Sequence, residues 1–464
     1  MNEIRIMMVS KRKLKKNLLI TFVTLSGIYL IISFYFFTHF SFHTEINGNN
    51  VSLQSHKKSL ELIQEYLEDY KLQLMERNNE TELISGKEIN MTYNPNFNLL
   101  KFRSMQNPFL WIITVFQGSS YHFTNLYTYD TSLLERKINA LHCLNKNIKE
   151  PKNAGFRYTN GTYSVVKEQY GDQIHLNRLT KTIHLFLTKG KTNLDLNQFN
   201  CYVNPIFTTK SKKTTQVRKL LNQYVSSKIT YHFGDTYELL DANKIHLWLS
   251  IDDNLEIKIN KEAIKNYIVT LSKKYDTVGI PREFHTSTGK TIEVKGGLYG
   301  WKIDRQLEAH ALFNHILRGE VLGKEPAYLQ KALSREGNEI GDTYIEINIT
   351  KQHVWFYKDG KLLVQSSVVT GNPSRGNATV LGVYMINYKQ LNATLVGENY
   401  ASKVKYWMPF FGNMGLHDAS WRSSFGGTIY KTRGSHGCVN APIYLAKIVF
   451  ENIESGTPVI VYEE

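Results

Sequence analysis

Apolar residues fall into three regimes along the chain. The first is nearly unbroken. From Leu18 to Phe37 only scattered Thr, Ser and Tyr interrupt the apolar run, and no Asp, Glu, Lys or Arg lies between Lys16 and Glu45. At ~1.5 Å rise per residue, such a helix crosses a hydrocarbon core of ~30 Å. The basic run Lys11-Arg12-Lys13-Leu14-Lys15-Lys16 stands immediately before it, which predicts an N-terminus held in the cytoplasm. A cleaved signal peptide would have a shorter apolar core followed by a small-x-small site; Phe36, Phe37, Thr38, His39 and Phe40 stand there instead. The pattern therefore predicts a cytoplasmic tail over 1–17, a retained transmembrane signal anchor over 18–40, and everything after it outside.

In the second regime helix and strand periods mix. Leu53, Leu60, Ile63, Leu67, Leu72 and Leu74, spaced between charges, predict one helix over 52–78, a stalk (41–80) or the first element of the next domain. An internal repeat follows. Residues 156–174 match 284–303: Phe156 aligns with Phe284, Gly161 with Gly289, Val166 with Val294, and Tyr170-Gly171 with Tyr299-Gly300. Upstream, 129–141 parallels 259–271. Each unit reads as a helix, a hairpin around a Gly turn, a Tyr-Gly corner and a second helix (176–189 or 304–318), with 207–224 as a polar junction. Two copies at this period predict two related α+β domains, 81–206 and 215–335, since a solenoid needs at least three short repeats.

The third regime, 341–464, alternates with period two. Breaks at Lys351-Gln352 and at the turn Lys358-Asp359-Gly360 predict three antiparallel strands. Further strands lead to His417 and run over the C-terminal segment from Thr457. One helical pattern, Leu445, Ile448, Val449 and Ile453, starts beside Pro442 and ends at Gly456 and Pro458. This part is mainly β with one clear helix.

Length and charge refine that picture. A chain of 464 residues exceeds one core. Its net charge is +15. Residues 1–17 hold six Lys/Arg against Glu3, and 341–464 is close to balanced, so much of the excess lies in the middle. Such an excess favours anionic polymers or membrane surfaces; the membrane segment speaks against nucleic acid. Three cysteines make no disulfide framework. Cys143 and Cys201 read as buried thiols that could also pair.

Candidate chemistry concentrates in Gly434-Ser435-His436-Gly437-Cys438-Val439-Asn440. The pattern places Cys438 just ahead of a helix N-terminus, where unpaired N–H groups favour a thiolate. A nucleophilic thiol needs a base, and His417 and His436 are the candidates. On residue types alone a buried structural cysteine remains open. So does a zinc site of His417, His436 and Cys438, although His-Gly-Cys adjacency is poor ligand spacing.

His417, seventeen further residues (418–434), and then Ser435-His436-Gly437-Cys438-Val439-Asn440 resemble the active-site signature of the L,D-transpeptidase (YkuD-type) family. Thr379-Val380-Leu381-Gly382-Val383-Tyr384 is similar to a strand of that family, with Val380 and Leu381 where it has proline. The repeats resemble the peptidoglycan-binding domain that often precedes this catalytic domain in Gram-positive bacteria; Tyr299-Gly300-Trp301-Lys302-Ile303-Asp304, Glu308 and Pro326-x-Tyr328 carry the likeness.

The resemblance implies a β-sandwich-like catalytic domain over 341–464. Cys438 would be the nucleophile and His417 the proton acceptor and donor. His436 would shape the turn, and backbone N–H groups of His436, Gly437 and Cys438 would form an oxyanion hole. Ser435 would hydrogen-bond within the turn. Asn440 would cap the following helix or contact a stem peptide. Trp407 and Tyr430 are expected to bind substrate, with core packing the alternative for Trp407. Asp418 would either orient an imidazole or stand as a solvated carboxylate. The implied reaction takes a tetrapeptide stem, cleaves it after its third residue with release of D-alanine, and joins the acyl group to a neighbouring stem amine. Implied partners are peptidoglycan stems and glycan, anionic wall polymers, the membrane through one helix, and carbapenem-type β-lactams as covalent inhibitors. No metal or organic cofactor is implied. Hydrolysis by an L,D-carboxypeptidase and a non-catalytic wall-binding role are the alternatives. A sortase is disfavoured, because its Thr-Leu-x-Thr-Cys motif is lacking.

Overall fold

A computed structural model describes residues 2–335, 337, 339–397 and 400–464. The chain forms two compact units: 1–155 with 166–211, and 156–165 with 212–464.

In the first unit a helix runs Asn2–Tyr35. Its part Arg12–Tyr35 is long and apolar enough to cross a membrane, and its side chains are almost wholly exposed. The helix expected over 52–78 is shorter. Ser55 caps it by accepting from the Lys58 amide, and it runs His56–Glu68 with Ile63 and Leu67 inward. The remaining leucines, Leu72 and Leu74, alternate inward on a strand, Lys71–Met75. That strand is the middle of a sheet. Thr81–Ser85 pairs antiparallel on one side and Asn193–Asp195 parallel on the other. Helices Thr131–Asn139 and Leu176–Thr188 bury Leu134, Ile138, Leu179 and Ile183 against the same core. The segment thus belongs to the first repeat rather than to a free-standing stalk.

The second unit repeats this plan. Its middle strand Lys228–Phe233 pairs antiparallel with Thr236–Leu240 and parallel with Val321–Lys324. Helices Lys261–Tyr275 and Arg305–Arg318 pack on it. The stretch expected as a polar junction is the helix Lys212–Val225, with Val217 and Leu221 inward; it opens the second copy as His56–Glu68 opens the first. The duplication therefore extends one helix and one hairpin further upstream than residue identity reveals. Tyr299 and Trp301 are corner residues: both are buried, with Tyr299 Oη donating to Glu339 O (2.6 Å) and Trp301 Nε1 to Ser334 O (3.0 Å).

The C-terminal part is two sheets. We number its strands β1 (Tyr344–Asn348), β2 (His353–Lys358), β3 (Lys361–Ser367), β4 (Gly382–Met385), β5 (Gln390–Gly397), β6 (Tyr400–Phe411), β7 (Met414–Asp418), β8 (Val439–Ala441) and β9 (Pro458–Tyr462). One sheet has the order β3-β2-β1-β9-β4, the other β5-β6-β7-β8. Ile345, Ile347, Val354 and Phe356 from the first meet Met408, Phe410 and Leu416 from the second, with the helix Ile443–Asn452 closing the core through Leu445 and Val449. The repeat-2 hairpin, Arg282–His285 with Thr291–Val294, adds Phe284 against Tyr344 and Tyr462.

Candidate active site

The site forms where β7 and β8 run side by side. Their parallel register sets Leu416 beside Val439 and His417 beside Asn440. Cys438 is the residue before β8, so its thiol emerges at the strand's start. The expectation of a helix N-terminus behind Cys438 is wrong. β8 intervenes, Pro442 is the helix N-cap, and the helix begins at Ile443. Three residues of strand were too short to break the helical pattern that followed.

The turn before Cys438 is tightly held. Ser435 Oγ donates to Cys438 O and accepts from Gly437 N (3.1 Å). Gly437 has φ +116°, and a Cβ there would lie 2.9 Å from Met414 Cε, so glycine is required. Its carbonyl accepts from Thr379 Oγ1 (2.8 Å), and Thr379 in turn accepts from Gly371 N (2.9 Å). A Cβ on Gly371 would fall 1.9 Å from Asn377 O. With its N–H on Ser435, Gly437 does not present that donor to the cavity as the oxyanion-hole expectation required.

A cavity of about 220 Å³ opens over this turn, lined by Cys438, His417, Asn440, Ser435, the exposed His436, Trp421, Arg422, and Leu395 and Ser402 from the β5–β6 hairpin. Cys438 is 9% exposed, and its Sγ–H donates to Asn413 O at 3.4 Å. Burial pushes the thiol up to about 11, opposed by the Gly415 backbone. His417 is 2% exposed, and burial lowers its pKa, against the raising effect of Asp418.

The proton on His417 can be placed by elimination. Arg422 Nε lies 2.8 Å from Asn440 Oδ1, and a guanidinium only donates. Asn440 therefore turns its amide nitrogen to His417 Nε2 (3.0 Å), which must accept. His417 Nδ1 sits 2.8 Å from the Asp418 carbonyl, which only accepts, so Nδ1 carries the hydrogen. The imidazole is neutral, with its lone pair on Nε2.

Several expected roles change. The Asp418 carboxylate neither orients the imidazole nor meets solvent; it is buried and accepts from the amides of Lys405 (2.8 Å) and Tyr406 (2.7 Å). Only its backbone carbonyl holds His417. Asn440 caps no helix. Trp407 packs beneath Cys438 with Ala393 and Val404, outside the cavity lining. Tyr430, in the short helix Ile429–Arg433, packs against the core rather than lining the cavity. Arg422 and Trp421 were not singled out from sequence. Their pairings, Arg422 with Asn440 and the Trp421 ring 5.9 Å from His417, arise only once β7 and β8 align. Elsewhere, Glu76, Glu82 and Cys143 bring possible ligand atoms within 4.8 Å. There Lys146 already pairs with Glu76 (2.5 Å), and both Glu82 oxygens accept from the His142 and Cys143 amides.

Comparison with known proteins follows the same division. The model of the L,D-transpeptidase catalytic domain (YkuD) matches 342–461. A peptidoglycan binding domain model (PG_binding_4) matches twice, at 84–195 and 208–321. The comparison with curated proteins gave no match. Among solved structures, the chain is similar to a cysteine-to-serine mutant of the Enterococcus faecium L,D-transpeptidase: 33% identity, covering 54% of this chain and 100% of that one, TM-score 0.43. It is 44% identical to the catalytic domain of the E. faecium enzyme acylated by ertapenem, covering 26% of this chain and 97% of that one, TM-score 0.25. A Stackebrandtia nassauensis L,D-transpeptidase is 27% identical, covering 29% and 60%, TM-score 0.23. The transpeptidase model fills the C-terminal part, the wall-binding model occurs twice ahead of it, and 33% identity extends over the full length of one solved member; the chain belongs to the L,D-transpeptidase family.

Proposed function

We infer that the chain is a membrane-anchored peptidoglycan cross-linking enzyme in which Cys438 is the nucleophile and His417 its base. The observation that carries this is the neutral His417, whose Nε2 lone pair is held by the Asn440 amide, lining the same cavity as Cys438. The chain Arg422–Asn440–His417–Asp418 holds that tautomer. The thiol rests on the Asn413 carbonyl. It must turn from that carbonyl for its proton to pass to His417 Nε2, and Asn440 must yield that position. Sulfur then attacks the third-residue carbonyl of a tetrapeptide stem. As the carbon–nitrogen bond breaks, His417 returns the proton to the departing D-alanine amine. The amine of a neighbouring stem attacks the thioester, loses a proton to His417, and releases the thiol. A thiol raised to about 11 cannot be a standing thiolate at neutral pH, so the base acts in the attacking step itself.

A carbapenem should acylate the same sulfur, as ertapenem acylates the E. faecium domain. The basic flank Lys11–Lys16 sets the N-terminus inside and the catalytic part outside.

The test is incubation with disaccharide-tetrapeptide and mass spectrometry. A dimer lacking one D-alanine is expected. A disaccharide-tripeptide alone would make water the acceptor and the enzyme a carboxypeptidase. Unaltered substrate, with no adduct from a carbapenem, would overturn the enzymatic reading.

A further inference from the structure

Outside the catalytic part, the chain from Ser104 to Tyr129 carries no Asp, Glu, Lys or Arg. Within it, the 3-10 turn Pro108–Leu110 leads straight into a short helix, Trp111–Phe116. Phe109, Leu110, Ile112 and Ile113 are about half exposed, and Phe116 is 87% exposed. Apart from the apolar helix itself, exposed apolar side chains elsewhere in this unit, such as Ile206 and Ile148, are scattered, which is ordinary. Here five sit within eight residues.

The segment lies against the outer end of the apolar helix Asn2–Tyr35. Tyr29 Oη donates to Phe109 O (2.7 Å). The Trp111 ring meets Tyr29 (5.9 Å) and Phe36 (6.5 Å), and Phe109 meets Phe37 edge-on (5.9 Å). Arg103, just before the segment, donates to the Phe37 carbonyl.

These contacts fix a depth. Tyr29 is six residues before the end of the helix at Tyr35, about 9 Å along its axis at ~1.5 Å per residue. From Lys16 to Tyr29 is about 20 Å of a ~30 Å hydrocarbon layer. The turn therefore sits level with the outer part of the apolar span, at the ~5–10 Å depth of interfacial helices. Its composition suits that level. Trp111, Tyr29 and Tyr35 are the aromatics enriched at membrane interfaces. Lys101 and Arg103 stand next to the segment, where lipid phosphates would be. The Phe109 carbonyl, which lipid could not satisfy, has Tyr29 Oη.

We propose that Pro108–Phe116 inserts into the outer leaflet beside the anchor, giving the extracellular part a second lipid contact that fixes its height and tilt at the membrane. This rests on the anchor reading. A single helix leaves the exterior free to swivel; a second insertion removes that freedom.

The test uses the full chain in vesicles of phosphatidylcholine and phosphatidylglycerol, with a nitroxide on a cysteine introduced at one site per variant. Accessibility to oxygen, which concentrates in lipid, is compared with accessibility to a water-soluble nickel chelate. Phe22→Cys reports on the anchor and Ile206→Cys on water. Ile113→Cys and Phe116→Cys are expected to follow Phe22, relaxed by oxygen and shielded from nickel. If Phe22→Cys is in lipid while Ile113→Cys and Phe116→Cys meet nickel as Ile206→Cys does, the insertion is wrong and the anchor stands. If Phe22→Cys itself meets nickel, the anchor fails and the insertion with it. Labels at 113 and 116 shielded from both reagents would place a protein partner there and overturn the lipid contact.

Discussion

Among the described residues of the C-terminal part, the buried polar clusters around Glu346 and around Cys438 differ in how far their bonding capacity is used. Around Glu346, which is fully buried, the carboxylate accepts from Ser287 N (2.9 Å), Ser287 Oγ (2.5 Å) and Tyr462 Oη (2.6 Å). Ser287 Oγ also meets Tyr357 Oη (2.8 Å), and Asn348 reaches Tyr462 and Glu464. Every partner has a partner. Around Cys438 the sulfur makes one long bond, to the Asn413 carbonyl at 3.4 Å, and opens to a cavity, and the imidazole lone pair is covered by the Asn440 amide. A saturated buried network holds a structure together, here the repeat-2 hairpin on β1 and β9. A network left one bond short can exchange protons with a ligand.

That contrast is broken most sharply at Cys438. Cys438→Ala should lose all measurable turnover and the carbapenem adduct while its melting temperature stays near wild type, because a small, weakly bonded side chain is removed. Turnover remaining in Cys438→Ala, or an adduct on Cys143 or Cys201, would end the assignment.

His417→Ala should follow, with kcat/KM lower by ~10²–10⁴, the usual worth of a general base. His436→Ala should cost less, since that side chain sits exposed at the rim. If His436→Ala were dead and His417→Ala active, the two histidines would exchange roles.

Much of this site was legible in the sequence, because a thiol, a turn glycine and a histidine at a fixed gap are demanded by residue type. What could not be read depends on strand register. Arg422 and Asn440 are unremarkable until β7 and β8 align, and Asp418 looks like a loop carboxylate until the Lys405 and Tyr406 amides are seen to bind it. The repeats show the same limit. The hairpin and corner announce themselves through Gly161 and Gly289, which must take positive φ at their turns. The opening helices His56–Glu68 and Lys212–Val225 share only an apolar stripe, which any amphipathic helix supplies. The apolar turn at 108–116 is too short to read as a span and is set off from the preceding chain by Asn107-Pro108.

At the saturated cluster the readout moves from rate to stability. Glu346→Ala strands the Ser287 amide and the Tyr462 hydroxyl, each unsatisfied buried group costing ~1–3 kcal/mol. A loss of ~2–4 kcal/mol is expected in denaturant unfolding, with Glu346→Gln milder. Carbapenem acylation of the folded fraction should continue at an unchanged rate. A stable Glu346→Ala would mean that the network is not what holds the hairpin; slowed acylation would mean that the two clusters are coupled.

The smallest expected effect is in the pH dependence of stability, and within the Cys438 cluster it separates the thiol from the imidazole by sign. Burial raises the Cys438 thiol from 9.0 to about 11. Below pH 9 both folded and unfolded chains keep this proton. Between 9 and about 11 the unfolded chain releases it and the folded chain does not, so stability falls at ~1.4 kcal/mol per pH unit, to a total of up to ~3 kcal/mol. His417 acts at the other end: its lowered pKa means that the unfolded chain takes up a proton first, so stability falls as pH drops below 6.5. Burial also raises Tyr462 and Tyr344, which adds to the alkaline loss in every variant. The measurement is therefore a difference. Cys438→Ala should show a shallower alkaline decline than wild type from pH 9 upward and an unchanged acid limb, whereas His417→Gln should flatten the acid limb alone. Identical alkaline slopes for wild type and Cys438→Ala would mean that the thiol is not held in a desolvated place, and that its proton needs no partner to leave.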